Sequence, residues 1–345
     1  MPRNLLLTLE YPPERGGIAR YLEAIVHAFP ECIHVIAKKS ELLGAWWPRW
    51  GESVQLLWKK RATYDQVLIS HLLPLGTAAW IARFATRKPY IILTHGMDIG
   101  LAKRDGWKQF LAKRILCSAR LVVANSFALE QELRQDFGLT HTCVVYPPVM
   151  PLPDKPICPE NFHLVDFLTV GRLVSRKGHE RVLQALALLR DRDHQTFTYR
   201  IIGSGPHRET IEQCIHDLKL NNHVQLMMDV DDTMLACAYQ QCRVFVMPAH
   251  HTLEDREGFG MVYLEAALYG IPSIATQQSG VDEAVIDQET GWLISDGDIE
   301  AIAATMQHAI THTDERNTMG EAARKRAREQ FSPEVALAPL RSYLL

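Results

Sequence analysis

No apolar run in this 345-residue chain approaches the roughly twenty residues that cross a bilayer as a helix. The N-terminal MPRNLLLTLEYPP holds only Leu5–Leu7 before an acid and two prolines, so it reads as a first strand and not as an export signal. Seven cysteines form no CxxC pair. An odd, unpatterned set without an export signal points to a reducing cytosol. Zinc-protease spacing is also missing, since His250 and His251 are adjacent and cannot share a helix face as HExxH ligands do. Asp229, Asp231 and Asp232 lack the further spacing and glycine of a calcium loop, and read as capping acids before a helix over Thr233–Gln241. Nor is there a solenoid repeat or a low-complexity tract. What is present is ordinary for folded domains: 47% hydrophobic and 22% charged residues, with a length that suits two domains.

Charge divides the chain. Residues 1–150 carry 19 Lys and Arg against 12 Asp and Glu, a net of +7, and the remainder carries 18 against 28, a net of −10. Two halves of opposite sign suggest two domains with different tasks, the basic one able to meet an anionic surface or ligand.

Strand-like and helix-like runs alternate. Strands are predicted at Asn4–Leu9, Ile33–Ala37, Gln66–Ser70, Tyr90–Thr94 and Leu121–Ala124. A second series falls at Phe167–Val170, Tyr199–Ile202, Val224–Met227, Val244–Met247 and Pro272–Ala275. Helices are predicted between them, among them Val182–Arg190 and Gly260–Tyr269. This alternation predicts α/β architecture: two Rossmann-like domains, each a parallel sheet covered by helices. VVYPPVMPLPDKP, Val144–Pro156, carries five prolines between the series and marks the linker. The expected divisions are 1–150, 151–330 and a C-terminal helix over 331–345 that returns to the first domain. Ligands of such sheets bind beyond the carboxyl ends of the strands, so the chemistry is sought in those loops and in a cleft between the domains.

Four loops stand out. After the first strand, Gly16 and Gly17 precede a helix beginning near Ile18, which suits a phosphate or sugar-phosphate cradle and equally suits an ordinary turn. After Val170 comes GRLVSRKG, where Arg172 and Lys177 suit a diphosphate, arginine as a planar fork and lysine as a point charge. A solvated basic loop is the plainer alternative. Gly203-Ser204-Gly205 opens a helix like half a dinucleotide fingerprint, but Arg208 stands where the third glycine belongs, which disfavours a nicotinamide cofactor. In REGFGMVYLEA, Glu257 precedes the Gly258–Gly260 turn, and Glu265 lies one to two turns into the next helix. Two carboxylates, each able to accept from vicinal hydroxyls, suit the two sugar rings of a sugar nucleotide; a loop acid and a helix-surface acid are the alternative. His95, at the end of the apolar strand Tyr90–Leu93, reads either as a structural histidine or as a donor to a sugar hydroxyl or phosphate.

In this order these segments resemble family 4 of the retaining glycosyltransferases, which have the GT-B fold. The carriers are Gly16-Gly17, HGMD (His95–Asp98), ANS (Ala124–Ser126), YPPV (Tyr146–Val149), VGRLVSRKG (Val170–Gly178), GSGP (Gly203–Pro206) and EGFGMVYLEA (Glu257–Ala266), spread over almost the whole chain. The resemblance implies transfer of a hexose with retention, from a nucleoside diphosphate sugar to a hydroxyl acceptor, with no metal and no further cofactor. It implies that Arg172 and Lys177 grip the diphosphate, that Glu257 holds the donor sugar and that Glu265 holds the ribose. The amides of Phe259, Gly260 and Met261 would meet sugar or phosphate. His95 would lie near the transferred sugar, Gly16, Gly17 and Gly203 near the phosphates or acceptor, and Val230 near the base. Two departures are Ser279-Gly280, where the family has paired glycines, and Met228, where it has glycine before the base-contacting segment. YPPERGGIARYL and EGFGMVYLEA are most similar to bacterial mannosyltransferases that use GDP-mannose on phosphatidylinositol mannosides, with a UDP-hexose as the other donor. A non-catalytic partner subunit and a sugar phosphorylase share the architecture and stay as alternatives.

AWWPRW (Ala45–Trp50), WKKR (Trp58–Arg61) and LAKRDGWKQFLAKRIL (Leu101–Leu116) interleave cations with tryptophans and aliphatics. Such segments suit either an anionic membrane surface or a solvated helix with one buried face. A nucleic-acid partner is not expected, because no stacking platform accompanies the charge. The expected location is cytoplasmic, peripheral at the inner face of the membrane if the first reading holds.

Overall fold

The computed structural model describes residues 3–14, 16–45, 47–151, 153, 156–193, 196–250 and 258–345. It divides into two compact units, residues 1–148 with 333–345 and residues 149–332.

The first unit is built on six parallel strands: β1 (Asn4–Leu7), β2 (Ile33–Ile36), β3 (Gln66–Ile69), β4 (Tyr90–Thr94), β5 (Leu121–Ala124) and β6 (Thr142–Val144), in the order β2-β1-β3-β4-β5-β6. Leu6 is in register with Val35 on one side and Leu68 on the other. The sequences NLLL, QVLI, YIILT and LVVA are buried throughout, as expected of strands with helices on both faces. Ser126 begins the helix Phe127–Phe137 by accepting a hydrogen bond from Leu129 N at 3.1 Å. The chain's last residues belong to this unit. Asn4 Nδ2 donates to Leu344 O at 3.2 Å, and Gln66 Nε2 donates to Tyr343 O at 2.6 Å.

The second unit repeats the plan with β7 (Val165–Val170), β8 (Tyr199–Ile202), β9 (Val224–Met227), β10 (Cys242–Met247), β11 (Ser273–Thr276) and β12 (Gly291–Ile294), in the order β12-β11-β10-β7-β8-β9. The helix His179–Asp193 covers the predicted Val182–Arg190, and Met261–Leu268 lies within the predicted Gly260–Tyr269. A disulfide joins Cys158 to Cys237, 79 residues apart, and the five other cysteines form no disulfide. Cysteine spacing does not reveal that pairing.

The sixth strand of each sheet, β6 and β12, is missing from the predicted series. β6 is three residues long and only half-buried at a sheet edge, and β12 begins on a glycine.

In each sheet the strand order reverses beside the first strand, between β1 and β3 in one unit and between β7 and β10 in the other. A crevice opens at such a reversal, because successive crossovers leave in opposite directions.

Candidate functional site

In the second unit the loops that leave β7 and β10 flank this reversal. The β7 loop carries Arg172, exposed to solvent, and Lys177, only 7% exposed. Ser175–Lys177 form one 3-10 turn, and the lysine stem lies over Gly171, where an added Cβ would stand 3.6 Å from Lys177 Cε. A lysine held against a strand's carboxyl end brings a fixed positive charge to that loop, which makes it a candidate anion ligand. The loop is held on two sides. Toward β8, Gly171 N donates to Ile202 O and Leu173 N to Ser204 O, both at 2.9 Å. Toward β10, His250 N donates to Arg176 O at 2.8 Å.

This bracing explains GSGP. A Cβ on Gly203 would stand 1.8 Å from Gly171 O, which no neighbouring backbone permits. Gly203 is therefore required for the β7 and β8 loops to touch, and it shapes the loop that presents Arg172 and Lys177.

The β10 loop leads into the helix Met261–Leu268. Gly260 begins it at φ +85, a left-handed conformation that glycine adopts without strain. Phe259 is buried and packs its ring 5.7 Å from Phe331. Met261 is half-buried at the first helical position. Glu265 is buried and its Oε2 accepts from Tyr239 Oη at 2.9 Å, while Tyr239 stacks on Tyr269 at 5.6 Å. Tyr239 was not among the sequence candidates, since a tyrosine on a separate helix carries no motif. Val230 lies in the turn after β9, next to Asp231, whose Oδ1 caps the helix Asp232–Gln240 by accepting from Met234 N at 2.7 Å. Glu257 lies outside the described residues. His179, two residues beyond Lys177, is buried, and burial pushes its pKa down to about 3, so it is neutral.

In the first unit, Gly16 is half-buried in extended backbone and Gly17 opens the helix Gly17–Ala28. His95 follows β4 and is buried edge-on against Tyr21, ring centroids 5.8 Å apart. Desolvation lowers its pKa to about 3, so the ring is neutral, and its Nε2 has no hydrogen-bond partner among the described residues. His95 N donates to Asp98 Oδ1 at 3.1 Å, and burial raises the Asp98 pKa.

Two residues that sequence reasoning passed over gather here. Glu10, in the loop after β1, and His71, in the loop after β3, flank the first unit's reversal, with His71 Nε2 3.6 Å from Glu10 Oε1. A hydrogen-bonding interaction with His71 and the charge of Lys39 lower the Glu10 pKa, so its carboxylate is ionised. A Cβ on Gly16 would stand 3.8 Å from Glu10 Oε2, which places the start of the first helix beside the same carboxylate. The usable signal was position, an acid and a histidine each just past a strand end.

Comparison with known proteins agrees with this architecture. Residues 7–151 match the model described as Glycosyltransferase Family 4, and residues 163–326 the one described as Glycosyl transferases group 1. A GDP-mannose-dependent alpha-(1-6)-phosphatidylinositol monomannoside mannosyltransferase of Mycolicibacterium smegmatis is 28% identical, over 93% of this chain and 92% of its own. The GDP-mannose-dependent monoacylated alpha-(1-6)-phosphatidylinositol monomannoside mannosyltransferase of Corynebacterium glutamicum is 27% identical, over 96% and 95%. Among solved structures, the Anabaena protein HepE in complex with UDP and glucose superposes with a TM-score of 0.82 at 18% identity, over 99% of both chains. Sucrose-phosphate synthase from Thermosynechococcus elongatus superposes with 0.78 at 20%, over 99% and 98%. With two adjoining family models matched and the GT-B fold of its structural neighbours, the chain belongs to the family 4 glycosyltransferases.

Proposed function

We propose that the protein is a retaining hexosyltransferase that moves mannose from GDP-mannose to a hydroxyl of a glycolipid or glycan, residues 1–150 taking the acceptor and residues 151–330 the donor. The observation that carries this reading is the braced β7 loop, with buried Lys177 and exposed Arg172 at the strand-order reversal and buried Glu265 on the helix that follows β10. Breaking the sugar–phosphate bond loads negative charge onto a diphosphate. The cations of Lys177 and Arg172 would offset that charge as it develops. The tyrosine-held carboxylate of Glu265 suits the ribose diol, and the amides of Phe259–Met261 at a helix N-terminus suit sugar or phosphate oxygens. Glu257 is assigned to the donor sugar and His95 to the transferred ring on the resemblance of their motifs. The choice of GDP-mannose over a UDP-hexose follows the full-length relatives named above.

A peripheral membrane location fits the first unit's surface. Trp58, Phe84, Trp107 and Phe110 are exposed, and each lies under a cation: Arg61, Arg83, Lys108 and Arg114. Arg83 also donates to Ser118 O at 3.0 Å, which ties the helix Thr77–Thr86 to the end of Gly106–Cys117. Aromatic rings with adjoining cations suit an anionic headgroup layer. No helix among the described residues is long and apolar enough to cross a membrane.

Thermal shift with GDP, UDP, ADP and NAD, on wild type and Arg172→Ala, tests the donor assignment. Ligand at about 100 times its dissociation constant adds about 2.7 kcal/mol. A shift with GDP that the variant loses supports the reading. A shift with NAD alone, or with none of the four, refutes it. The anomeric configuration of the product, read by NMR, tests retention.

A further inference from the structure

We propose that the Cys158–Cys237 disulfide is a thiol-sensitive clamp in the second unit. Closed, it holds the helix Asp232–Gln240 in the position that serves a nucleoside diphosphate ligand; opened by thiols, it lets the helix relax and weakens that binding. The effect on the ligand rests on the donor reading above, whereas the clamp on the helix does not. This helix reaches the candidate donor site at two places. Its N-terminus follows the Val230 turn and is capped by Asp231, and Tyr239 Oη donates to Glu265 Oε2 at 2.9 Å. Leu235–Tyr239 are all buried, so the helix is covered on more than one face. Two residues apart on a helix is about 200° around its axis, which puts Cys237 on the side away from Tyr239. Cys237 is bonded there to Cys158, in the segment that enters the unit. What the disulfide holds on one side of the helix therefore sets where Tyr239 stands on the other.

The entering segment has few other ties. At its start Val149 N donates to Phe331 O at 2.8 Å, and at its end Arg200 Nη2 donates to His163 O at 3.1 Å. Between them, among the described residues, the segment is joined to the rest of the unit by the disulfide and by Tyr269 Oη, which donates to Pro153 O at 3.5 Å, the outer limit of a hydrogen bond. Tyr269 is also the ring on which Tyr239 stacks at 5.6 Å, so both ties converge on the side chain that holds Glu265. Thiols can reach the bond from one end. Cys158 is half-buried and Cys237 is fully buried, so an incoming thiolate attacks Cys158 Sγ. A mixed disulfide forms there, the bond to Cys237 breaks, and Cys237 leaves with the electron pair and takes up a proton. A second thiolate attacks the outer sulfur of the mixed disulfide and releases Cys158, which is protonated in turn. Two electrons and two protons pass from two small thiols to the pair, and the thiols leave as their own disulfide; that disulfide reverses the exchange. Cys117 is exposed and forms no disulfide, as suits surroundings where thiols persist and protein disulfides open and close.

Full-length protein equilibrated with oxidised glutathione or with dithiothreitol tests this. Alkylation with peptide mass mapping reports the state of Cys158 and Cys237, titration calorimetry the affinity for GDP, and amide hydrogen exchange the helix. Reduction should raise the GDP dissociation constant about fivefold or more, as for coupled sites, and speed exchange across Asp232–Gln240. Oxidised glutathione should restore both. Cys158→Ser should match the reduced wild type and ignore thiols, and Cys117→Ser should keep the full response. In Tyr239→Phe the redox effect on GDP should shrink to about twofold or less, because the link to Glu265 is cut; a disulfide that only stabilises the unit would act equally on both proteins. Free thiols at both positions after oxidised glutathione, equal GDP affinity in the two forms, or an undiminished response in Cys158→Ser overturns the proposal, as does helix exchange that ignores reduction. Faster exchange on reduction with no GDP binding in either form leaves the clamp on the helix standing and removes the donor reading.

Discussion

Gly203→Ala places a methyl group where the Cβ meets Gly171 O at 1.8 Å and Gly171 C at 2.9 Å. Both obstacles are backbone, so no rotamer change relieves them, and the two loops must part by roughly 1 Å or more to reach ordinary contact. The bonds that span the gap are Gly171 N to Ile202 O and Leu173 N to Ser204 O, each 2.9 Å. Losing both, with Leu173 and Ile202 buried but Gly171 and Ser204 reachable by water, costs roughly 2–4 kcal/mol. For a unit of this size that lowers the melting temperature by roughly 4–16 °C. The same displacement moves Arg172 and Lys177 relative to the β10 loop, and a misplacement of about 1 Å costs on the order of 10² in rate. Calorimetry with and without GDP measures the stability loss and the binding, and initial rates of transfer from GDP-mannose measure the second effect. Gly16→Ala is the matched control. Gly16 is extended at φ 174, and the nearest atom to an added Cβ is Glu10 Oε2 at 3.8 Å, so stability should change by less than about 0.5 kcal/mol. A Gly203→Ala protein that melts and binds GDP like wild type would refute the bracing argument.

Removing the exposed guanidinium in Arg172→Ala should leave the melting temperature of the unliganded protein unchanged and cut transfer by on the order of 10²–10³, measured as mannose released from GDP-mannose. Tyr239→Phe removes one hydrogen bond to buried Glu265 and should destabilise the second unit by roughly 0.5–2 kcal/mol, with a raised donor KM, both read against wild type by urea unfolding and initial rates. His179, whose pKa burial depresses to about 3, makes the second unit acid-sensitive. The unfolded chain takes up the proton first, near pH 6.5, so stability present at pH 7.5 is lost as pH falls toward 3, by about 2 kcal/mol at pH 5. Urea unfolding of wild type and His179→Gln at both pH values checks this, since the variant should lose correspondingly less. Trp107→Ser with Phe110→Ser should weaken binding to vesicles rich in anionic lipid and spare GDP binding; equal vesicle binding by the double variant would remove the membrane reading.

What the sequence made legible was chemistry carried within one segment. The Arg172–Lys177 loop, the capping Asp231 and the Gly258–Gly260 turn before Glu265 each lie within about ten residues, so spacing alone places them together, and the apolar runs of β4 and β5 mark two strands in a covered parallel sheet. Gly203 shows the limit of such reading. A glycine after a strand looks alike whether it makes room for a phosphate or for another loop, and only the 1.8 Å approach to Gly171 O tells which surface it meets. Tyr239 and Glu265 sit on separate helices, and Cys158 and Cys237 are 79 residues apart, so their meetings depend on packing that periodicity does not encode. Glu10 and His71 lie further still from any motif. They are neighbours because β1 and β3 pair in register while β2 lies on the other side of β1. Contacts made within one contiguous segment are therefore legible in the sequence, and contacts made by strand order are not; sequence resemblance follows the first more readily than the second.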